Sequence, residues 1–213
     1  MLQLSRLNAI VDLEAAARAG WTVVDLTNAY LRGGARFLQL RAKDVSGAEF
    51  LDLASQIVKL AHANDAIVIV NDRADIARLA GADGVHVGQD DLAPADVRRI
   101  LGDAAIVGLS THTVEQMTAA VTQPATYVAI GPVFGTATKA TGYDAVGLDM
   151  VRAAAAVARP AGRALVAIGG ITLETAQAVI DAGAASVAVI SDLIASGDPT
   201  ARVRAFLDRL EKR

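Results

Sequence analysis

Eight short apolar runs rich in β-branched residues, each followed by a helix-like stretch, predict an α/β fold. The prediction is a single (β/α)8 TIM barrel, eight parallel strands with surrounding helices. Two further observations agree. The chain has 213 residues, close to the usual ~250 of such barrels, and no linker or composition shift divides it, so residues 1–213 read as one domain. Polar residues also gather just after the apolar runs, where one rim of a barrel carries its chemistry. A doubly wound open sheet is the rival, disfavoured by the count of eight strands.

The runs fall at residues 7–11, 37–40, 66–70, 84–87, 105–109, 127–133, 164–168 and 186–190. Between them apolar residues recur at helical spacing, as in Val23, Leu26 and Tyr30, or Phe50, Leu53, Ile57 and Leu60. Val203, Phe206, Leu207 and Leu210 repeat the pattern near the end. Ser46-x-x-Glu49 and Thr113-x-x-Gln116 read as capping boxes, and Asp198-Pro199 as an N-cap before a first-turn proline. Gly33-Gly34, Gly81 and Gly183 sit where helices should stop.

Composition removes several function classes. Apolar residues make up 53% and charged residues 20%, which describes a globular chain and not a disordered one. The absence of cysteine excludes disulfides, zinc–thiolate centres and thiol nucleophiles. A net charge of −3 argues against a nucleic-acid surface, so any anion site must be a local concentration of cations. The first twelve residues are too mixed for a signal peptide, and no stretch approaches the ~18–20 apolar residues of a membrane span. The expectation is a cytoplasmic protein with small-molecule partners, no nucleic acid and no membrane. Whether it is a monomer or a homo-oligomer is undetermined at this level.

The chemistry concentrates at the strand ends. In Gln39-Leu40-Arg41-Ala42-Lys43 the alternate residues Gln39, Arg41 and Lys43 share a face, and a buried face carries two charges only where something anionic lies against it. Asn71 and Asp72 end the third strand, with Asp90 and Asp91 after the fourth. Paired carboxylates near phosphate suit Mg²⁺, and by spacing alone Asp90 is as good a ligand as Asp91. The bland alternative for Asp72 is a pair with Arg73 or a helix N-cap. Gly169-Gly170 after the seventh strand and Ile190-Ser191 after the eighth offer backbone N–H groups to a monophosphate.

Thr136-Ala137-Thr138-Lys139 lies in a long connection that reads as a lid over an anion. It is not a P-loop, because Gly-Lys-Ser/Thr is missing. Ser110 and His112 do not make a hydrolase, lacking a nucleophile elbow; Ser110 suits a hydrogen bond to a ring substrate. His86 reads as a satisfied wall residue, His62 as an exposed helix residue and Trp21 as packing.

In order, several motifs closely resemble the thiamine-phosphate synthase family: Gln39–Lys43, Asn71-Asp72, 84–91 (GVHVGQDD), 108–113 (GLSTHT), 131–139 (GPVFGTATK), 167–171 (AIGGI) and 189–191 (VIS). The resemblance runs from about residue 36 to 192. It implies a transferase of thiamine biosynthesis that joins 4-amino-5-hydroxymethyl-2-methylpyrimidine diphosphate to 4-methyl-5-(2-phosphoethyl)thiazole, releasing diphosphate by a dissociative route. It further implies that Gln39, Leu40, Arg41, Ala42, Lys43, Asn71, Ser110 and Lys139 hold the pyrimidine diphosphate. Arg41, Lys43, Ser110 and Lys139 would be catalytic. Asp72 and Asp91, in preference to Asp90, would hold Mg²⁺, and Thr136, Ala137, Thr138, Gly170, Ile190 and Ser191 the thiazole phosphate.

The chain departs from the family before residue 36, where 7–12 (LNAIVD) replaces an aromatic-rich opening strand and a short insert follows at 13–20. Two alternatives stay in view. A thiazole tautomerase relative has no diphosphate leaving group and no need of the cation and carboxylate set. A non-catalytic barrel that binds a phosphorylated ligand needs only the Gly170 and Ser191 turns.

Overall fold

The computed structural model describes residues 4–135 and 144–211. Eight parallel strands close a barrel in sequence order: β1 (Leu7–Asp12), β2 (Phe37–Arg41), β3 (Ile67–Asn71), β4 (Gly84–Val87), β5 (Ile106–Thr111), β6 (Tyr127–Ile130), β7 (Ala164–Ile168) and β8 (Ser186–Val189). The ring closes with Leu7 beside Val187 and Ala9 beside Val189. Around it lie α1 (Leu13–Arg18), α2 (Val23–Gly33), α3 (Gly47–His62), α4 (Ala74–Ala80), α5 (Pro94–Leu101), α6 (Val114–Ala120), α7 (Gly147–Ala158), α8 (Leu173–Asp181) and α9 (Pro199–Glu211). A short 3-10 helix, Ser191–Leu193, follows β8. None of the described helices is long and apolar enough to cross a membrane.

The pleat sorts each strand into two cores. Ile10, Phe37, Ile69, Ile106, Tyr127 and Val166 fill the barrel interior. Their strand neighbours Leu38, Leu40, Val68 and Val70 face outward and join Leu26, Ile57 and Phe206 of the helices. Tyr127 is the largest interior side chain at this level, edge-on to Phe37 and stacked on His86. Gly108 makes that stack possible: a Cβ there would come within 2.4 Å of both His86 Nδ1 and the Tyr127 hydroxyl.

The helix ends follow the sequence closely, with instructive departures. Ser46 Oγ accepts from Glu49 N–H, and Asp198 Oδ1 from Ala201 N–H. Gly34 and Gly81 cap α2 and α4, whereas α8 is capped by Ala182, with Gly183 one residue beyond. Thr113 caps α6 as expected, but its box is not reciprocal. Gln116 Oε1 reaches one residue further back and accepts from His112 N–H, which fixes the chain at the β5 rim. The sixth strand, expected to reach residue 133, ends at Ile130 because Pro132 brings no N–H to the ladder. The insert at 13–20 is α1, started by Asp12, whose Oδ1 accepts from Ala15 N–H.

Candidate active site

A cavity of about 420 Å³ opens at the C-terminal ends of the strands. Gln39, Arg41, Asn71 and Ser110 line one side of it, and Gly170, Ile190 and Ser191 line the other. The pleat that gives Gln39 and Arg41 to the interior turns Leu40 outward into the fully buried helix-facing core. Ala42 is also packed against that outer layer. Any part these two take in a site is therefore through the backbone. Residues 136–139, with Thr136, Ala137, Thr138 and Lys139, lie outside the described residues.

The polar floor of the cavity is tied together before anything enters. Gln39 Nε2 donates to Asn71 Oδ1 at 3.2 Å. His86 bridges two hydroxyls, with Nδ1 2.9 Å from the Tyr127 oxygen and Nε2 2.8 Å from Ser110 Oγ. A neutral imidazole donates at one nitrogen and accepts at the other, so the ring fixes the hydroxyl direction of Ser110. Burial pushes the Tyr127 phenol far above its usual range, which keeps it a neutral partner. His86 is thus the satisfied wall residue expected, and it also faces the cavity. His112 joins the same wall, its Nδ1 2.6 Å from the Gly131 carbonyl oxygen. His62 is half-exposed near the end of α3 and pairs with Asp83, and Trp21 packs on the outer core.

Just outside the cavity the charges form a second cluster. Lys43 Nζ pairs with Asp72 Oδ2. Asp72 does not pair with Arg73, which turns to Asp75, and it does not cap α4. Instead its backbone adopts a left-handed conformation, φ 63°, while its N–H donates to the His86 carbonyl. Such a conformation costs on the order of 1 kcal/mol and persists where surrounding bonds over-determine it. Asp91 Oδ2 accepts from Gly88 N–H at 2.7 Å. Burial pushes the Asp91 carboxyl up, the Gly88 N–H opposes this, and the charge of Asp72 adds to the rise. The ammonium of Lys43, paired with Asp72, works against that rise. Asp90 and Asp91 are both exposed, and what sets Asp91 apart is its bond from Gly88 N–H. No group of three or more metal-ligating side chains occurs among the described residues. A cation at Asp72 and Asp91 would complete its shell with phosphate and water, the habit of Mg²⁺.

The β7–β8 side is built differently. Gly170 has φ 62°, and a Cβ on it would meet the Gly135 carbonyl oxygen at 2.6 Å and Phe134 at 2.8 Å. Only glycine lets that backbone lie against the cavity. Asp192, which the sequence reading passed over, accepts from Leu173 N–H at 3.0 Å and takes a fork of bonds from Arg202 of α9. It thereby locks the 3-10 helix, the start of α8 and α9 together. Its signal in the sequence was only its place, one residue past Ser191.

Asp12 was also missed. It ends β1 as Arg41 ends β2 and Asn71 ends β3. Its Oδ2 pairs with Arg41 Nη1. The anions against the charged β2 end are thus, in part, the protein's own carboxylates.

Comparison with known proteins agrees with this geometry. The family model described as thiamine monophosphate synthase matches residues 7–193. The chain is 44% identical over 200 residues to the thiamine-phosphate synthase of Roseiflexus castenholzii, covering 93% of this chain and 85% of that one. It is 44% identical over 211 residues to that of Koribacter versatilis, covering 98% and 97%. Among solved structures, a thiamine phosphate pyrophosphorylase from Pyrococcus furiosus superposes with a TM-score of 0.86 at 27% identity, covering 97% of this chain and 95% of that one. The match spans the barrel from its first strand to the 3-10 helix beyond its last. The chain belongs to the thiamine monophosphate synthase family.

Proposed function

We propose that this chain is a transferase that joins 4-amino-5-hydroxymethyl-2-methylpyrimidine diphosphate to 4-methyl-5-(2-phosphoethyl)thiazole, giving thiamine phosphate and diphosphate. One observation carries the reading: a single cavity has amide and hydroxyl groups with Arg41 on one side and a glycine-floored turn on the other. Two differently charged ligands can therefore meet in it.

Gln39, Asn71 and Ser110 hold the pyrimidine ring through side chains already oriented by their own hydrogen bonds. Arg41, Lys43 and Lys139 take the diphosphate. The backbone at Gly170, Ile190 and Ser191, together with Thr136, Ala137 and Thr138, takes the thiazole phosphate and aims the ring nitrogen at the pyrimidine methylene carbon. Ser110 pairs with His86 in the cavity, but a phenol and not a carboxylate stands behind that ring, and the cations stand where a leaving group would gather charge. This supports a dissociative route: the C–O bond to diphosphate breaks first, and the thiazole nitrogen then donates its lone pair to the carbocation. Asp72 and Asp91 would hold Mg²⁺, which when bound neutralises charge on the departing diphosphate. Lys43 leaves Asp72 for the diphosphate as that charge arrives. Catalysis is then electrostatic stabilisation plus positioning, each charge-assisted contact contributing about 3 kcal/mol.

The test is to incubate the purified chain with both substrates and Mg²⁺ and follow thiamine phosphate by mass and diphosphate by a coupled assay. Equimolar appearance of both is expected. No product, with thiazole phosphate still bound, would leave a phosphate-binding barrel.

A further inference from the structure

Arg41 sits at the mouth of β2 with only 12% of its side chain exposed. Its Nη1 is committed to Asp12 Oδ2, and Asp12 is itself 2% exposed. Its Nε is buried and has no hydrogen-bond partner among the described residues. A buried unpaired donor costs on the order of 1–3 kcal/mol, more on a charged group, and an acceptor arriving at this one would remove that cost. The guanidinium is a rigid planar fork. With Nη1 turned to Asp12, the edge left over is Nε with Nη2, two parallel donors at the spacing of two phosphate oxygens.

We propose, on the reading of this rim as a diphosphate site, that Asp12 is a positioning residue for the leaving group. It clamps Arg41 by Nη1 and so presents the Nε–Nη2 edge to the diphosphate. Asp12 is well placed for this. Its Oδ1 accepts from Ala15 N–H at 2.8 Å at the start of α1, so the carboxylate is fixed at both oxygens. Register pairs Asp12 directly with Arg41 across the β1–β2 ladder, which keeps the clamp on the strand wall. The clamp also holds a desolvated guanidinium with a carboxylate until the anion arrives. The opening strand, which the family match includes from residue 7, thus reaches the chemistry through one residue.

The experiment is a double-mutant cycle on the full chain. Asp12→Asn keeps an oxygen to cap α1 but removes the charge and sets an amide donor against Arg41. It is expected to lower kcat/KM for the pyrimidine diphosphate about tenfold, and to change KM for the thiazole phosphate less than about twofold. In an Arg41→Gln background the same change is expected to cost less than about a further twofold, because there is no longer a guanidinium to place. Costs that add, or an equal loss for both substrates, would mean that Asp12 serves only the fold, and would overturn the proposal. If Asp12→Asn does not fold, Asp12→Ser, which caps a helix equally well without charge, gives the same readout.

A crystal structure of the unmutated chain with inorganic diphosphate and Mg²⁺ gives a measurement independent of turnover. Nε and Nη2 on the diphosphate with Nη1 still on Asp12 would support the clamp. Arg41 swung away from Asp12 to meet the diphosphate end-on would overturn it. Diphosphate seated away from Arg41 altogether would overturn the reading of the rim as well, and its position distinguishes that failure from the other.

Discussion

On the proposed function, the two halves of the rim hold phosphates in a net-acidic protein by opposite means. At the ends of β2, β3 and β4 the donors are long side chains, and each cation stands beside a carboxylate: Arg41 with Asp12, and Lys43 with Asp72. At the ends of β7 and β8 the lining is backbone and small residues, Gly169, Gly170, Ile190 and Ser191, with Asp192 and Arg202 bracing from behind. The first half is charged, adjustable and neutralised in advance. The second is rigid. A leaving group whose charge grows during the reaction needs the first kind, since salt-bridge partners can be exchanged as charge develops. A spectator phosphate whose charge does not change needs only a fixed cradle.

If that contrast is right, the two halves fail differently when altered. The largest effect is expected for Asp72→Ala with saturating Mg²⁺. Diphosphate release should fall about a hundred- to a thousandfold, equivalent to about 3–4 kcal/mol of barrier, with thiazole phosphate binding unchanged by calorimetry. Unchanged turnover would break the contrast at its charged end. Lys139→Ala should behave alike.

Removing metal with a chelator comes next. Turnover should drop at least about tenfold and return on adding Mg²⁺, while thiazole phosphate affinity stays level, because the proposed ligands Asp72 and Asp91 lie in the first half and Asp192 of the second is held by Arg202. A matching loss of thiazole phosphate binding would show that both halves share the ion.

Gly170→Ala attacks the rigid half. The new Cβ collides with the Gly135 carbonyl in a left-handed backbone, so KM for the thiazole phosphate should rise about tenfold, with a stability cost of about 1–3 kcal/mol. Binding of inorganic diphosphate should be untouched.

The smallest effect is expected beneath the floor. Tyr127→Phe leaves His86 Nδ1 without that hydroxyl, and chemical denaturation should show a loss of about 1–2 kcal/mol. Turnover should fall less than about tenfold, since Ser110 keeps its bond to Nε2. A larger catalytic than thermodynamic cost would move the Tyr127–His86–Ser110 chain from support into the reaction.

Much of this molecule was legible in its sequence. Alternation of apolar runs with helical periodicities is enough to specify a parallel barrel, because each signal is local and each segment can bury its apolar face in only one way. Gln39, Arg41, Asn71 and Ser110 were readable because they stand at strand ends, and a barrel brings strand ends together whatever lies between. What stayed hidden were partnerships between elements far apart in the chain. Asp12 had no role assigned to it until β1 closed against β2 and put it beside Arg41. His86 read correctly as a satisfied wall residue, but nothing in the sequence named Tyr127 and Ser110 as the partners of its two nitrogens. Asp192 gave no sign that Arg202 would reach it. Composition and spacing determine which segments form and which way their side chains alternate, because those depend on neighbours a few residues away. Which donor meets which acceptor is decided only when the barrel closes, because one ångström in the packing separates a buried ion pair from an uncompensated charge.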